Sequence, residues 1–325
     1  MNAILITGGT GSFGTAMTEY LLSKPGPKIR VFSRDEHKHE RLRQRHGGDP
    51  RVTHIVGDVR DRRRLADACH GADAVIHAAA LKVVGYGEAH FKEFAATNIG
   101  GSENVIGAAL ECGVPRTLLI STDKAVEPVN GYGLTKAAAE RLFVEANQRG
   151  ASRRCRFSSV RGGNVWDTAG SVAETWREQA PADRNNRGQG VEITDAQATR
   201  FHLELPEWTR FVEAALDDMH GGEIFVPKCR AWRLSELALA FGAGSPAHVG
   251  LRPGEKMHER LVAEAERDRT LDIGWAYVVE PSAPLREVWG YRPHRGESVG
   301  PDFDYTSRLA ERVPFGELQE LARES

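Results

Sequence analysis

Short apolar runs alternate with stretches of helical periodicity in the first half of the chain. The apolar runs predict strands at residues 3–6, 29–32, 52–56, 74–77, 117–120 and 156–160. Helical periodicity predicts helices over residues 16–22, 64–68, 98–112 and 133–147. Strand and helix alternating at this spacing are typical of βαβ units. The pattern therefore predicts an α/β fold built on a doubly wound parallel sheet of about 165 residues.

The pattern changes after Trp166. Glycine and charged residues in 180–190 predict a surface loop, and short elements follow at 191–200 and 223–227. The tail from Asp268 has little periodicity before an amphipathic stretch near 315–322. We therefore predict a Rossmann domain over residues 1–165 and a smaller C-terminal α/β substrate domain over residues 166–325. The division allows some segments after residue 166 to pack as part of the first domain.

Composition narrows the classes of partner. With 43 basic and 45 acidic residues the net charge is near zero, so neither nucleic acid nor a membrane surface is expected as a partner. The four cysteines are scattered without a C-x-x-C pair, no secretory leader precedes the first strand, and no apolar run is long enough to span a bilayer. These features predict a cytoplasmic protein without a metal site.

A glycine-rich loop joins the first strand to the first helix. The spacing Gly-x-x-Gly-x-x-Gly lets backbone amides approach a pyrophosphate lying on the helix N-terminus. The loop residues that we expect to bind a dinucleotide cofactor are Gly8, Thr10, Gly11, Ser12, Phe13 and Gly14.

The end of the second strand bears on the choice of cofactor. An acidic residue there suits the ribose 2′-hydroxyl of NAD, whereas basic residues suit the 2′-phosphate of NADP. Ser33, Arg34 and Lys38 favour NADP, although Asp35 and the residue after it leave NAD open. We expect further cofactor contacts after the third and fourth strands, from Asp58 and Val59 at the adenine and from Ala78, Ala79 and Ala80 where the backbone passes close.

Proton-handling side chains follow the fifth strand. Thr122, Asp123 and Lys124 stand at its carboxyl end, where open α/β sheets bind ligands, and Tyr132 and Lys136 follow at the i, i+4 spacing of one helix face. A lysine beside a tyrosine lowers the pKa of the phenol from about 10. The stretch therefore predicts an active site that takes a proton from an alcohol or a sugar hydroxyl.

The chain resembles the extended short-chain dehydrogenase/reductases, and within them the inverting UDP-N-acetylglucosamine 4,6-dehydratases of pseudaminic acid and capsular sugar pathways. The resemblance rests on residues 7–14, 33–36, 57–61, 77–82, 121–125, 221–228 and 252–256. Asp123-Lys124 is its most discriminating pair, because a plain reductase usually carries serine or threonine there.

The resemblance implies a chemistry for these side chains. Tyr132 beside Lys136 takes the proton of the sugar 4-hydroxyl while hydride passes to NADP, and Thr122 bonds the same oxygen. Lys124 then removes the C5 proton, Asp123 protonates the departing 6-hydroxyl, hydride returns to C6, and C5 is inverted. Lys124 must be neutral for this role, which needs its pKa lowered by roughly three units, or about 4 kcal/mol, and burial is expected to lower it. Because Asp123 and Lys124 can exchange a proton, their division of roles stays open.

The resemblance also implies a substrate site and a homo-oligomer. The substrate-binding candidates are Lys82, which also lies beside the cofactor, with Asn164, Thr199, Arg200, Arg252 and Glu255. Arg252 and Glu255 suit a diphosphate and a ribose, or equally a surface ion pair. Departures from the family pattern at residues 83–88, 162, 166–170 and 197 predict a remodelled sugar pocket and a related nucleotide sugar as substrate.

Two alternatives remain at this point. The same 4-keto chemistry could end in epimerisation or in another dehydratase outcome in a specialised biosynthetic pathway. A protein of another class, a non-catalytic NADP-binding sensor, could also be built on this fold, but retention of Thr122, Tyr132 and Lys136 argues against it.

Overall fold

One large sheet runs through the chain in this computed structural model, which describes residues 1–166, 168–183, 191–242 and 246–324. The strands, in chain order, are β1 (Ala3–Thr7), β2 (Lys28–Ser33), β3 (Val52–Val56), β4 (Ala74–His77), β5 (Arg116–Thr122), β6 (Arg156–Gly162), β7 (Asn164–Val165), β8 (Glu192–Ile193), β9 (Thr199–Leu203), β10 (Ile224–Pro227), β11 (Arg230–Arg233), β12 (Ala247–His248), β13 (Thr270–Asp272), β14 (Ala276–Val279) and β15 (Glu297–Ser298). In the described ranges, the large sheet has the order β15-β13-β14-β10-β6-β5-β4-β1-β2-β3.

The parallel part of this sheet confirms the predicted doubly wound fold. Strands β3, β2, β1, β4, β5 and β6 pair in parallel, and the strand order reverses between β1 and β4. β10 adds a further parallel strand beside β6, and β14, β13 and β15 continue antiparallel beyond it. The tail after residue 268 therefore contributes strands that its weak periodicity did not predict, because strands of two to four residues are too short to display a period.

Helices cover both faces of the sheet. They are α1 (Ser12–Leu22), α2 (Glu36–Arg45), α3 (Arg62–Cys69), α4 (Val84–Ala89), α5 (Phe91–Phe94), α6 (Gly101–Cys112), α7 (Gly131–Gly150), α8 (Val172–Asp183), α9 (Leu205–Asp218), α10 (Leu234–Ala240), α11 (Ala283–Trp289) and α12 (Phe315–Glu324). Short 3-10 helices span Asp123–Ala125, Ala151–Arg153 and Glu264–Arg269, and a π-helical turn spans Ala95–Gly100. The loop predicted over 180–190 is wrong for residues 180–183, which belong to helix α8. Residues 184–190 lie outside the described residues. No helix in the described part of the chain is long and apolar enough to cross a membrane.

Apolar packing explains the layers. On one face Met17 and Leu21 of α1 and Val212 and Leu216 of α9 pack against the sheet, and on the other face α3, α6 and α7 bury residues such as Phe143. Each helix contributes one apolar stripe, as periodicity predicted for α1, α3, α6 and α7.

A third apolar cluster lies apart from the sheet. It joins Trp166 and Trp176 to Trp232, Leu237 and Leu318, so residues of α8, α10 and α12 share one small core. Two small sheets, β11-β9-β7 and β12-β8, accompany it. The predicted boundary at residue 165 stays a prediction, since β10, β13, β14 and β15 of the later half belong to the large sheet.

Candidate active site

A cavity of about 1450 Å³ opens at the carboxyl ends of β1, β4 and β5 and extends to the loops after β6 and before residue 260. Its volume exceeds that of an ordinary small-ligand pocket, so it has room for a dinucleotide together with a second ligand. The predicted site residues that line it are Gly8, Thr10, Gly11, Ser12, Phe13, Gly14, Ser33, Arg34, Lys38, Val59, Ala78, Ala79, Ala80, Lys82, Thr122, Lys124, Tyr132, Lys136, Asn164, Arg200, Arg252 and Glu255. Asp58, Asp123 and Thr199 do not line it.

The glycine loop has the geometry that close approach of a pyrophosphate requires. Gly8 has φ +69°, and a Cβ there would lie 2.7 Å from the backbone nitrogen of Ala79. A Cβ at Gly14 would lie 2.5 Å from Cα of Gly9, so only glycine lets α1 begin this close to the loop. These residues fit a dinucleotide whose pyrophosphate lies on the N-terminus of α1.

The end of β2 carries the residues predicted to select the cofactor. The Ser33 hydroxyl bonds Thr10 Oγ1 (2.7 Å) and His39 Nε2 (3.0 Å). Asp35 caps α2 by accepting from the backbone nitrogen of Lys38 at 3.0 Å, so its carboxylate is engaged locally.

The predicted adenine contact from Asp58 stays a prediction. Its carboxylate accepts hydrogen bonds from the Arg60 side chain at 3.0 and 2.7 Å and from the Arg60 backbone at 2.9 Å, and it lies outside the cavity lining. An aspartate two residues before an arginine readily pairs with it, and the strand pattern alone gives no sign of that pairing.

The catalytic candidates converge where β5 ends. Thr122 Oγ1 donates to Asp123 Oδ1 at 2.9 Å, and Lys124 Nζ donates to the same oxygen at 3.1 Å. Helix α7 begins after Asn130, whose side chain accepts from the backbone nitrogen of Gly133 at 2.8 Å, and this places Tyr132 in the first turn. Thr122 is close enough to the Tyr132 phenol to lower its pKa. A hydrogen-bonded group of Thr122, Asp123 and Lys124 therefore lies beside Tyr132.

The protonation tendencies differ from the prediction. Burial raises the pKa of Tyr132 to about 12, and the cation that opposes this shift is Lys124. Burial also lowers the pKa of Lys136 to about 8, against the effect of Glu140. Desolvation outweighs the lowering by Lys124 and Thr122, so the net direction for the phenol is upward, and the effect expected of Lys136 stays a prediction.

Lys124 is likewise not neutralised by its surroundings. Burial favours the neutral amine, but Asp123 and Glu259 outweigh it and raise the pKa of Lys124. The two carboxylates approach Lys124 Nζ at 3.1 and 3.6 Å. Burial does lower the pKa of Lys124, as predicted, but Asp123 and then Glu259 outweigh it, so the net direction is upward. Glu259 is a buried acid that no sequence pattern indicated.

The substrate candidates separate into two groups. Arg200 donates to Glu255 Oε1 and to the backbone oxygen of Thr199, so Glu255 forms an ion pair at the cavity wall. Arg252 is exposed there. The hydroxyl of Thr199 bonds His258 Nδ1 (2.8 Å) and Ser307 Oγ (2.7 Å), and the residue is buried outside the lining. Its substrate role stays a prediction, with a packing role as the alternative.

Most of the family departures do face the cavity. Residues 83–85, 88, 162–166 and 168–170 line it, and a Cβ at Gly162 would lie 2.9 Å from the ring of Trp208. Trp208 thus fills space that a larger residue at position 162 would take. Gln197 is exposed and outside the lining, so its place at the sugar stays a prediction, and Asp167 lies outside the described residues.

A second network behind the site was not predicted. Buried Arg161 lies between the carboxylates of Glu140 and Glu266, and Glu140 also accepts from Ser121 Oγ at 2.6 Å. It ties β6 and α7 to the 3-10 helix at Glu264–Arg269. Charged residues far apart in sequence carry no local signal of such pairing.

The doubly wound sheet, the glycine loop and the Thr122, Tyr132 and Lys136 set define an extended short-chain dehydrogenase/reductase. Residues 4–281 match the family model described as polysaccharide biosynthesis protein, and the chain belongs to that family.

Named relatives refine this assignment. The chain is 40% identical over 311 residues to a UDP-N-acetylglucosamine 4,6-dehydratase (inverting) of Campylobacter jejuni strain 81-176, covering 94% of this chain and 92% of the relative. It is 35% identical over 327 residues to a UDP-glucose 4-epimerase of Rickettsia bellii, covering 98% and 94%. The crystal structure of Pen from Bacillus thuringiensis superposes with a TM-score of 0.87 at 30% identity, covering 100% of this chain and 98% of Pen. The predicted resemblance is confirmed.

Proposed function

We propose that this protein is a nucleotide-sugar 4,6-dehydratase that inverts C5 and converts UDP-N-acetylglucosamine or a related nucleotide sugar to a 4-keto-6-deoxy product. The observation that carries the proposal is the hydrogen-bonded group of Thr122, Asp123 and Lys124 beside Tyr132, at the wall of a cavity with a dinucleotide loop. The inverting dehydratase among the relatives, at 40% identity, supports it.

The first task of these residues is at the sugar 4-hydroxyl. A bound nicotinamide cofactor supplies hydride acceptance at C4 and hydride return at C6. Tyr132 accepts the hydroxyl proton, and Thr122 orients the oxygen. Because burial raises the pKa of Tyr132 to about 12, cationic charge must assist this step, and Lys124 and Lys136 are the nearby lysines.

The second task is water loss. A 4-ketone acidifies the C5 proton, Lys124 removes that proton as an amine, and Asp123 donates a proton to the departing 6-hydroxyl. The contact of 3.1 Å between Lys124 Nζ and Asp123 Oδ1 keeps base and acid adjacent, as elimination across C5 and C6 requires.

The cofactor is proposed to be NADP rather than NAD. Arg34 and Lys38 line the cavity at the end of β2, whereas Asp35 is engaged as the cap of α2. Arg34→Ala is expected to weaken NADPH binding at least tenfold with little effect on NADH, measured by fluorescence titration. An equal loss for both cofactors, or for neither, would contradict the choice.

An epimerase is the second candidate, and the relative named UDP-glucose 4-epimerase supports it. Epimerisation at C4 needs Tyr132 but no elimination. A dehydratase also needs Asp123 and Lys124, so the two functions differ in whether water is lost.

The test incubates the protein with UDP-N-acetylglucosamine in deuterated water and follows the products by NMR. One solvent deuteron at an inverted C5 with loss of water supports the dehydratase. An epimer with intact C6 supports the second candidate, and no turnover of any nucleotide sugar contradicts both.

Lys124→Ala provides the matching variant. It should permit reduction of the cofactor but stop before water loss, whereas Lys92→Ala, at an exposed lysine of α5, should behave as wild type. Near-normal dehydration by Lys124→Ala would show that the base is misassigned. A cytoplasmic location and a homo-oligomer stay predictions.

A further inference from the structure

Glu259 is a buried acid beside the catalytic lysine. Its residue is only 2% exposed, and its backbone nitrogen donates to Ser307 Oγ at 2.9 Å while its backbone oxygen accepts from Ser307 N at 2.8 Å. These bonds fix the carboxylate at the cavity wall, where Oε1 lies 3.6 Å from Lys124 Nζ. A carboxylate this deeply buried is expected to have a partner or a task.

The surroundings leave one carboxylate oxygen available. Arg200 Nε lies 4.0 Å from Oε1, Lys256 Nζ lies 3.9 Å from Oε2, and neither distance is a hydrogen bond. Lys256 donates to the backbone oxygen of Val126, and Arg200 donates to Glu255. Among the described residues, Glu259 Oε2 has no hydrogen-bond partner.

Asp123 has no exposure to solvent. Within the described ranges, the partners of its Oδ1 are Thr122 Oγ1 and Lys124 Nζ, and its Oδ2 has none. A proton that restores Asp123 as an acid must therefore pass through one of these two side chains. Lys124 is the one that also pairs with a second carboxylate, because its Nζ lies 3.6 Å from Glu259 Oε1, an ion-pair distance that must shorten to a hydrogen bond before a proton passes. With that approach, Glu259, Lys124 and Asp123 form a line of proton transfer.

We propose that Glu259 is a positioning residue that holds Lys124 and accepts its ammonium proton before elimination, an inference that rests on the proposed dehydratase function. The N–H bond of Lys124 breaks as an O–H bond forms on Glu259, which leaves a neutral amine. The amine takes the C5 proton, and the electrons of the C5–H bond form the enolate of the 4-ketone. The C5–C6 double bond then forms as the C6–O bond breaks, with the proton of Asp123 leaving in water.

The same line restores the protonation states of Glu259, Lys124 and Asp123. After elimination Lys124 is an ammonium, Asp123 a carboxylate and Glu259 a neutral acid. Lys124 passes a proton to Asp123 and takes one from Glu259, so the acid is recharged without solvent reaching it. A direct exchange between Lys124 and Asp123 is the competing route, and it needs no contribution from Glu259.

The test compares Glu259→Gln, which keeps the shape but cannot accept the proton, with Glu259→Asp, which can. The control is Glu264→Gln, at an exposed acid nearby in sequence. Dehydration and build-up of reduced nicotinamide are followed in single turnovers across pH. The groups that titrate or carry charge around Glu259 are Asp123, Lys124, Tyr132, Arg200, Glu255 and Lys256.

We expect Glu259→Gln to reduce cofactor normally but to lose about 10²-fold in dehydration at neutral pH. The rate should recover at alkaline pH, where solvent deprotonates Lys124, and Glu259→Asp should retain most of the activity. NMR of labelled lysine should also register a lower pKa for Lys124 in Glu259→Gln, a readout independent of turnover.

Three results would overturn the inference. Dehydration by Glu259→Gln at the wild-type rate would favour direct exchange, and an equal loss at every pH with no rescue by Glu259→Asp would indicate a structural role. An unchanged pKa of Lys124 would remove the proposed contact. Failure of the wild-type protein to dehydrate any nucleotide sugar would instead refute the proposed function, and so the two failures are distinguishable.

Discussion

Replacing Arg161 by methionine should destabilise the protein strongly. Arg161 is 3% exposed and donates to Glu140 at 3.0 and 2.8 Å and to Glu266 at 2.6 and 2.9 Å. Burial opposes its charge, but these two carboxylates outweigh burial and raise the pKa of Arg161. Methionine keeps an unbranched apolar stem but removes the guanidinium and its charge, which leaves two buried carboxylates without their common cation.

The expected loss is about 3–5 kcal/mol in the free energy of unfolding, the range for removing one partner of a buried ion pair. For 325 residues the entropy of unfolding near the midpoint is roughly 0.7 kcal/mol/K, so a loss of about 4 kcal/mol lowers Tm by about 6 °C. Catalysis should fall as well, because Glu140 also bonds Ser121 Oγ beside Thr122.

Thermal and urea unfolding of Arg161→Met measure this loss. Arg149→Met is the matched control, since Arg149 pairs with Glu103 and Glu145 on the surface and should contribute at most about 1 kcal/mol. Replacing Glu140 and Glu266 by glutamine together with Arg161→Met should restore stability. If Arg161→Met is no less stable than the Arg149→Met control, the reasoning about buried charge is refuted.

Three further predictions address the glycine loop, a buried acid and Thr199. Gly8→Ala should weaken NADPH binding at least tenfold in a fluorescence titration, because a Cβ at this position would collide with the backbone of Ala79. The control is Gly71→Ala, which has a similar φ of +68° but open space around the new Cβ and should not weaken binding. Burial raises the pKa of Glu223 from 4.5 to about 7, so the stability that this residue contributes is present below pH 4.5 and is lost as pH rises through 7. Urea unfolding at pH 5 and pH 8 measures that loss, and in Glu223→Gln the fall in the free energy of unfolding between these two pH values should be smaller by about 3 kcal/mol. Thr199→Val should lower the free energy of unfolding in urea by about 1–3 kcal/mol and leave the KM for the sugar unchanged. A raised KM at full stability would instead indicate a substrate role.

Local sequence patterns predicted the cofactor half well. The Gly8 to Gly14 loop, the strands from β1 to β6 and the residues at the end of β5 all lie where periodicity and turn chemistry put them. These features are determined over a few consecutive residues, since a glycine with positive φ or an apolar run before a turn depends mainly on its neighbours in the chain.

The second half was less predictable because its elements are short and their partners distant. Helix α8 was expected to be partly loop, and β13 to β15 went unpredicted although they extend the main sheet. Strands of two to four residues gain their stability from the sheet edge that they join, and that edge is formed by other parts of the chain.

By itself, the sequence determined the identity of the proton-handling set, since Thr122, Asp123, Lys124, Tyr132 and Lys136 follow one strand and one helix turn. The tertiary structure decided their charge states. It buried Tyr132, which raises the pKa of the phenol to about 12, and it brought Glu259 to 3.6 Å from Lys124, where Glu259 joins Asp123 in raising the pKa of that lysine against burial. A pKa depends on every charge and every loss of solvent within a few ångströms, and residues 135 positions apart in the chain meet only when the fold is complete.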